Sequence, residues 1–188
     1  MKRICLAVAA LAVAAGLNGC MSIRAQPYAA TPESASVLKD AGVATVDVGT
    51  FDASPASLAK PVSMPGPVTL RSPFGDSYAS YLGEALRQEL EQAGKYAKGS
   101  DTVVTGTLTK NEVHANLFSR GKGQLEARFV VTRAGQVVYD QVKSVDHSWN
   151  SAPIGAIAIE SAGANYPRMV QKLIASLFSD PAFVAALK

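Results

Sequence analysis

Cysteine is nearly absent from this chain. Of 188 residues only Cys5 and Cys20 carry a thiol, and both fall within the first twenty. The remainder therefore closes no disulfide, and its stability has to come from packing. Histidine is as scarce. His114 and His147 are the only two, with no cysteine near either and with Glu112 and Asp146 at no recognised metal-ligand spacing. That pattern predicts no metal centre and two histidines at the surface or at a sheet edge. Charged residues make up 18% of the chain, no long basic run occurs, and the formal net charge is +3. An electrostatic footprint for nucleic acid is thus missing. Gly121-Lys122-Gly123 is too short to cradle a nucleotide phosphate, and its two glycines predict a hairpin turn. No cofactor is expected.

What is present begins at the N-terminus. Met1-Lys2-Arg3 supplies a short positive end, and Ile4 to Leu17 is an unbroken run of apolar residues and glycine. A charged start, an apolar segment and small residues before a cut describe a secretory leader. The apolar run makes roughly 21 Å of helix, short of the ~30 Å hydrocarbon core, so a cleaved leader fits better than a permanent span. Leu17-Asn18-Gly19-Cys20 resembles the lipobox of bacterial lipoproteins, in which the cysteine is lipidated and becomes residue one. Asn18 stands where alanine or serine is usual. The resemblance implies that residues 1–19 are a signal peptide and that Cys20 carries the lipid. Each buried methylene contributes about 0.8 kcal/mol, so the several acyl chains of such a lipoprotein anchor it effectively for good. Met21 is not the aspartate that commonly retains these proteins in the inner membrane. By the same resemblance the destination is the outer membrane, with the protein facing the periplasm. Lys2 and Arg3 leave with the leader, so the mature chain is close to neutral.

Residues 20–40, rich in Ser, Ala, Pro and Thr, are expected to be a flexible tether. Residues 41–188 are long enough for one domain with a proper core. Val43 to Val48 predicts a strand, and Asp52 to Pro67, with four prolines, a long irregular connection before a short strand at Val68-Thr69-Leu70. Tyr78, Leu82, Ala85, Leu86, Leu90 and Ala93 repeat at helical spacing up to Gly94, with Glu84, Arg87, Glu89 and Glu91 placed on the other side. Alternating runs at Val103–Thr109, Leu125–Val131 and Val137–Trp149 predict an antiparallel meander, with a bulge near Asp140 and a turn at Arg133–Gln136. Met169, Val170, Leu173, Ile174, Leu177 and Phe178 form a second helical stripe. Pro167 is expected to begin that helix or kink it, and Ser179-Asp180-Pro181 to cap a short final one. The fold class is α+β: an antiparallel sheet of about four to five strands with two long helices packed on one face.

This order, from lipobox through Pro-rich loop, Tyr78–Gly94 helix and long strands to a helix ending Ser179-Asp180-Pro181-Ala182-Phe183, resembles the YajG-like outer-membrane lipoproteins. It is similar, more distantly, to the auxiliary lipoproteins of envelope ABC transporters. The resemblance implies a non-catalytic accessory or scaffold for an envelope transport or assembly complex, with an envelope protein as partner and the membrane as attachment through acylated Cys20.

Two other classes of function stand beside it. A module binding lipid or another small apolar ligand would need a cavity between sheet and helices. Phe74-Gly75-Asp76-Ser77-Tyr78 resembles the Gly-Asp-Ser block of SGNH ester hydrolases, which implies Ser77 as nucleophile. That chemistry also needs a histidine base and oxyanion donors. The nearest histidine phrase, Asp146-His147, puts its two side chains on opposite strand faces, and a helix cap accounts for Ser77. Lys110, Arg120 and Lys122 make a small basic patch or a solvated loop. Trp149, the only tryptophan, could anchor a protein interface, but is read as sealing the sheet where the chain turns into the last helix.

Overall fold

The alternating run after Thr102 builds the centre of the molecule. β5 (Thr102–His114), β6 (Arg120–Arg133) and β7 (Gln136–Asn150) form the antiparallel meander. The computed structural model describes residues 21–116 and 120–188. It adds β2 (Asp47–Ala53) beside β5, giving the order β2-β5-β6-β7. Val104, Leu108 and Val113 on β5 and Leu125, Ala127, Phe129 and Val131 on β6 are all buried, as the two-residue period of a strand with one covered face requires. The register shift in the β6–β7 pair falls between Val131 and Thr132, opposite Val138 and close to Asp140, where a bulge was expected.

Helices α2 (Tyr78–Gln92) and α3 (Gly155–Phe178) approach this face through glycines. The Phe51 ring of β2 lies between Gly83 on α2 and Gly106 on β5, where added Cβ atoms would stand 3.0 and 2.2 Å from it. Met169 of α3 reaches to within 2.5 Å of where a Gly123 Cβ would be.

The sheet is mixed, which corrects the expectation of a purely antiparallel one. β2 runs parallel to β5. A second sheet of three strands has the order β1-β4-β3, with β1 (Met21–Arg24) parallel to β4 (Val68–Arg71) and β3 (Val62–Met64) antiparallel to it. Parallel neighbours need a long crossover, and the segment containing β3, β4 and α2 supplies one. Val43 and Val46 are buried, yet the strand starts only at Asp47. Backbone groups before it bond to loops instead: Ala44 N–H to Leu187 O, and Val46 N–H to Lys95 O.

Residues 21–40, expected as part of a tether, instead belong to the fold. β1 pairs with β4, Ala25 and Tyr28 are buried, and α1 (Pro32–Asp40), capped by Thr31, buries Ala35 and Leu38. A composition of small residues permits close packing as readily as flexibility. The described structure thus has three longer helices where two were expected, together with the expected short final one, α4 (Pro181–Ala186).

α3 runs unbroken through Pro167. Proline offers no N–H to the carbonyl four residues back. That carbonyl, on Gly163, accepts the Gln26 N–H at 3.2 Å. The absence of a side chain lets residues 21–40, an N-terminal strap, approach, since a Gly163 Cβ would lie 3.3 Å from Arg24 O. The interruption in the helix is therefore satisfied by the segment that precedes α1.

Asp180 caps α4, as expected, accepting the Ala182 N–H at 2.8 Å. It also accepts from Lys143 Nζ at 2.6 Å and Tyr139 OH at 2.8 Å. The Lys143 bond above all, helped by Tyr139 and the Ala182 N–H, holds its pKa down at about 2. A depressed carboxyl stabilises above its unfolded pKa, and that contribution is lost as pH falls from about 4 to 2. Asp180→Asn is expected to cost about 1 kcal/mol at pH 7, solvent screening reducing the full value. The deficit should vanish below pH 2, as urea titrations at the two pH values would show.

Candidate functional site

The segment 21–31 lies along α3 and over α2, held by groups that α2 presents. Tyr81 OH donates to Gln26 O at 2.8 Å. Glu89 is fully buried and accepts from Tyr28 OH at 2.5 Å and from the Thr31 N–H at 3.2 Å. Burial pushes the Glu89 pKa up, against the lowering effect of those donors. Glu89 was expected on the solvent side of its helix; it instead continues the stripe of Leu82, Ala85 and Leu86. A carboxylate at that spacing is the signal that could have found it. Tyr28, Phe74, Tyr78, Tyr81 and Tyr166 then form a chain of ring contacts with centroids 4.6–6.3 Å apart.

Where α1 begins, a cleft of about 390 Å³ opens between Thr31, Glu33 and Ser34 on one side and His147, Arg168 and Lys172 on the other. His147 Nδ1 lies 3.0 Å from Lys172 Nζ, and Nε2 lies 3.2 Å from Asn165 Oδ1. Lysine has only donors, so Nδ1 accepts from it and Nε2 carries the proton toward Asn165. Asn165 Nδ2 in turn donates to Ser161 O at 2.8 Å. Burial first, then the charges of Lys172 and Arg168, lower the His147 pKa, which keeps the ring neutral at pH 7. Among the described residues neither Arg168 nor Lys172 forms an ion pair. The cleft is shallow, and its charged lining residues are Glu33, Arg168 and Lys172. Arg168 and Lys172 sit one turn apart on α3, a spacing visible in the sequence though not singled out there.

The structure scatters the remaining candidates. Cys20 and the leader lie outside the described residues. Ser77 caps α2, its Oγ accepting the Ser80 N–H at 3.2 Å, while both ring nitrogens of His147 are engaged elsewhere; no Ser77–His147 pair forms. Asp146 is exposed on the opposite face of β7 from half-buried His147. His114 is exposed and stands 3.8 Å from Glu112. Among the described residues no group of three or more His, Cys, Asp or Glu could hold a metal. Lys110 faces Glu112 at 3.5 Å, leaving Arg120 and Lys122 as exposed cations near the β5–β6 tip.

Gly121 and Gly123 lie within β6, paired with Trp149 and His147, and not in a hairpin turn. Glycine inside a strand marks a close approach. Here a Gly121 Cβ would stand 2.3 Å from the Trp149 indole nitrogen. Trp149 is buried and seals this end of the sheet, its N–H without a partner among the described residues. Gly121→Ala is expected to displace the indole into water and shift its emission to longer wavelength. With one tryptophan in the chain a fluorescence spectrum reads this directly.

A meander covered on one face by two helices, with a strap from the N-terminus crossing them, defines an α+β domain found in other proteins. No family model and no curated protein matches the chain, but solved structures do. Protein XCC0632 from Xanthomonas campestris, of the DUF330 family, superposes with a TM-score of 0.59 at 12% identity, covering 88% of this chain and 96% of that one. A candidate lipoprotein from Caulobacter crescentus gives a TM-score of 0.47 at 13% identity, over 81% of this chain and 96% of its own. CT253 from Chlamydia trachomatis gives 0.45 at 10% identity, over 77% and 99%. The likeness to XCC0632 is one of fold.

Proposed function

We propose that this chain is a lipid-anchored accessory protein of the bacterial cell envelope, acylated on Cys20. It faces the periplasm from the outer membrane, in the manner of the YajG-like lipoproteins. The observation that carries this reading is the apolar run ending Leu17-Asn18-Gly19-Cys20, followed without a gap by a folded domain. No helix among the described residues is long and apolar enough to cross a membrane. The domain's role is to dock onto an envelope transport or assembly complex, with no nucleic acid involved.

Cys20→Ala is expected to move the protein from the membrane to the soluble fraction, or to leave it as an uncleaved precursor. Crosslinking in cells, followed by membrane purification and mass spectrometry, should then capture a discrete envelope complex with the lipidated form alone. A Cys20→Ala protein that is processed and stays membrane-bound would contradict the anchor. Recovery of the lipidated protein with no envelope partner would contradict the accessory role.

A further inference from the structure

The place where the chain leaves the fold toward Cys20 is set by two alignments. The strap and α3 run in the same direction: Arg24 O and Ala25 Cα face Gly163, Gln26 N–H binds the Gly163 carbonyl, and Ala29 O accepts from Gln171 Nε2 at 3.0 Å. From Arg24 to Met21 the strand covers about 10 Å at ~3.3 Å per residue. About seven residues of helix at ~1.5 Å span the same distance. Met21 is therefore level with the first turn of α3, at Ala156 and Ile157. On its other side Met21 pairs with Val68, which directly follows the turn Pro65-Gly66-Pro67.

Uncharged side chains are exposed at this end. Pro65 and Pro67 are exposed on one side, and Pro153, Ile154, Ala156 and Ile157 on the other. Ile154 and Ile157 are 60% and 48% exposed, and no ionisable residue occurs between Trp149 and Glu160. Arg120, exposed and opposite Asn150 in the register, sets a cation beside them, and exposed Arg24 sets another about 10 Å further along the strand. Apolar side chains flanked by cations match the boundary between acyl chains and anionic headgroups.

We propose that this end of the domain rests on the bilayer, with Ile154 and Ile157 entering the headgroup–acyl boundary and Arg120 and Arg24 at the level of the phosphates. The inference rests on acylation of Cys20. Cys20 precedes by one residue a strand that is already paired, so the chain has no slack with which to hold the domain away. A consecutive Cα is only ~3.8 Å distant. The lipid chains enter the membrane at the isoleucines, and the domain takes one fixed orientation on it.

The test uses the mature protein purified from cells and reconstituted in vesicles of phosphatidylethanolamine and phosphatidylglycerol containing nitroxide-labelled lipid. Acylated Cys20 has no free thiol, so Ile157→Cys or Ile154→Cys gives one site for a fluorophore. Val137→Cys serves as reference: it is 61% exposed at the start of β7, the end nearest Asp180. Both kinds of site are at the surface, so the fold is kept. Labels at 154 and 157 are expected to be quenched at least about threefold more than one at 137, as interfacial insertion requires. The mass of the Cys20 peptide is read on the same sample. Modified Cys20 with equal quenching at all three sites overturns the docking alone; unmodified Cys20 overturns the anchor and the docking with it.

Discussion

Gly106→Val is expected to destabilise the domain by about 3 kcal/mol, the upper end of what overpacking costs. Gly106 lies in the middle of β5, in register with Phe51 on β2 and Phe129 on β6. The two rings meet edge to face with centroids 6.3 Å apart. A side chain at 106 enters the space that the Phe51 ring occupies, 2.2 Å from its nearest carbon. The ring has nowhere to retreat, because Gly83 of α2 confines it from the other side. The strain is thus shared by two strands and a helix. Phe51→Ala combined with Gly106→Val should recover at least about 1 kcal/mol relative to the sum of the single changes, the coupling expected of residues in contact. Chemical denaturation of the four proteins in the cycle measures it. A Gly106→Val protein within about 0.5 kcal/mol of the parent, the range of an ordinary surface change, would show that Phe51 is not held there.

Glu89→Leu is expected to cost about 2–4 kcal/mol, because it leaves Tyr28 OH and the Thr31 N–H buried without an acceptor. Glu89→Gln keeps one acceptor and should cost about 1 kcal/mol or less. The two differ further in pH dependence. The Glu89 pKa is raised above its ordinary 4.5, so the folded state favours the protonated acid. Its contribution is complete below pH 4.5 and diminishes as pH rises through the raised value. Glutamine does not titrate. The advantage of the parent over Glu89→Gln should therefore be largest at pH 4 and smaller at pH 7. Denaturant midpoints at the two pH values decide it, and a gap that widens with pH would contradict the assignment. The expected loss in Glu89→Leu is concentrated in the strap, so proteolytic nicking between Gln26 and Asp40 should accelerate more than global unfolding does.

What was legible in the sequence follows the strength of periodicity. The stripe from Tyr78 to Leu90, the alternation on β5 and β6 and the stripe from Met169 to Phe178 each bury one side of a long element, and each stands where expected. The cap at Asp180 was legible because proline at 181 and a carboxylate before it meet the local rule for a helix start. The strap was not, because its anchors are sparse: among its described side chains Tyr28 and Leu38 are the only large buried ones. Its backbone bonds go to residues more than forty positions distant, such as Arg71 and Gly163. The parallel pairing of β2 with β5 was equally hidden, since a strand's sequence carries its face but not its neighbour. Gly121 and Gly123 suit a turn as well as a strand, because glycine serves both a hairpin and a close approach, and only the position of Trp149 and Met169 separates the two. Of the cleft, His147 was noticed as a residue. Its partners Asn165 and Lys172 come from a helix whose position across β7 no local pattern specifies.

Amide hydrogen exchange across residues 21–40 tests most directly that the N-terminal segment is part of the domain and that any lipid on Cys20 is attached to a rigid body. The N–H groups of Ala25, Gln26 and Thr31 bond to Arg71 O, Gly163 O and the Glu89 carboxylate. They are expected to exchange orders of magnitude more slowly than a free peptide, since their opening requires separating the strap from α2 and α3. Exchange of all three at free-peptide rates would return this segment to a tether, and with it would go the fixed orientation at the membrane.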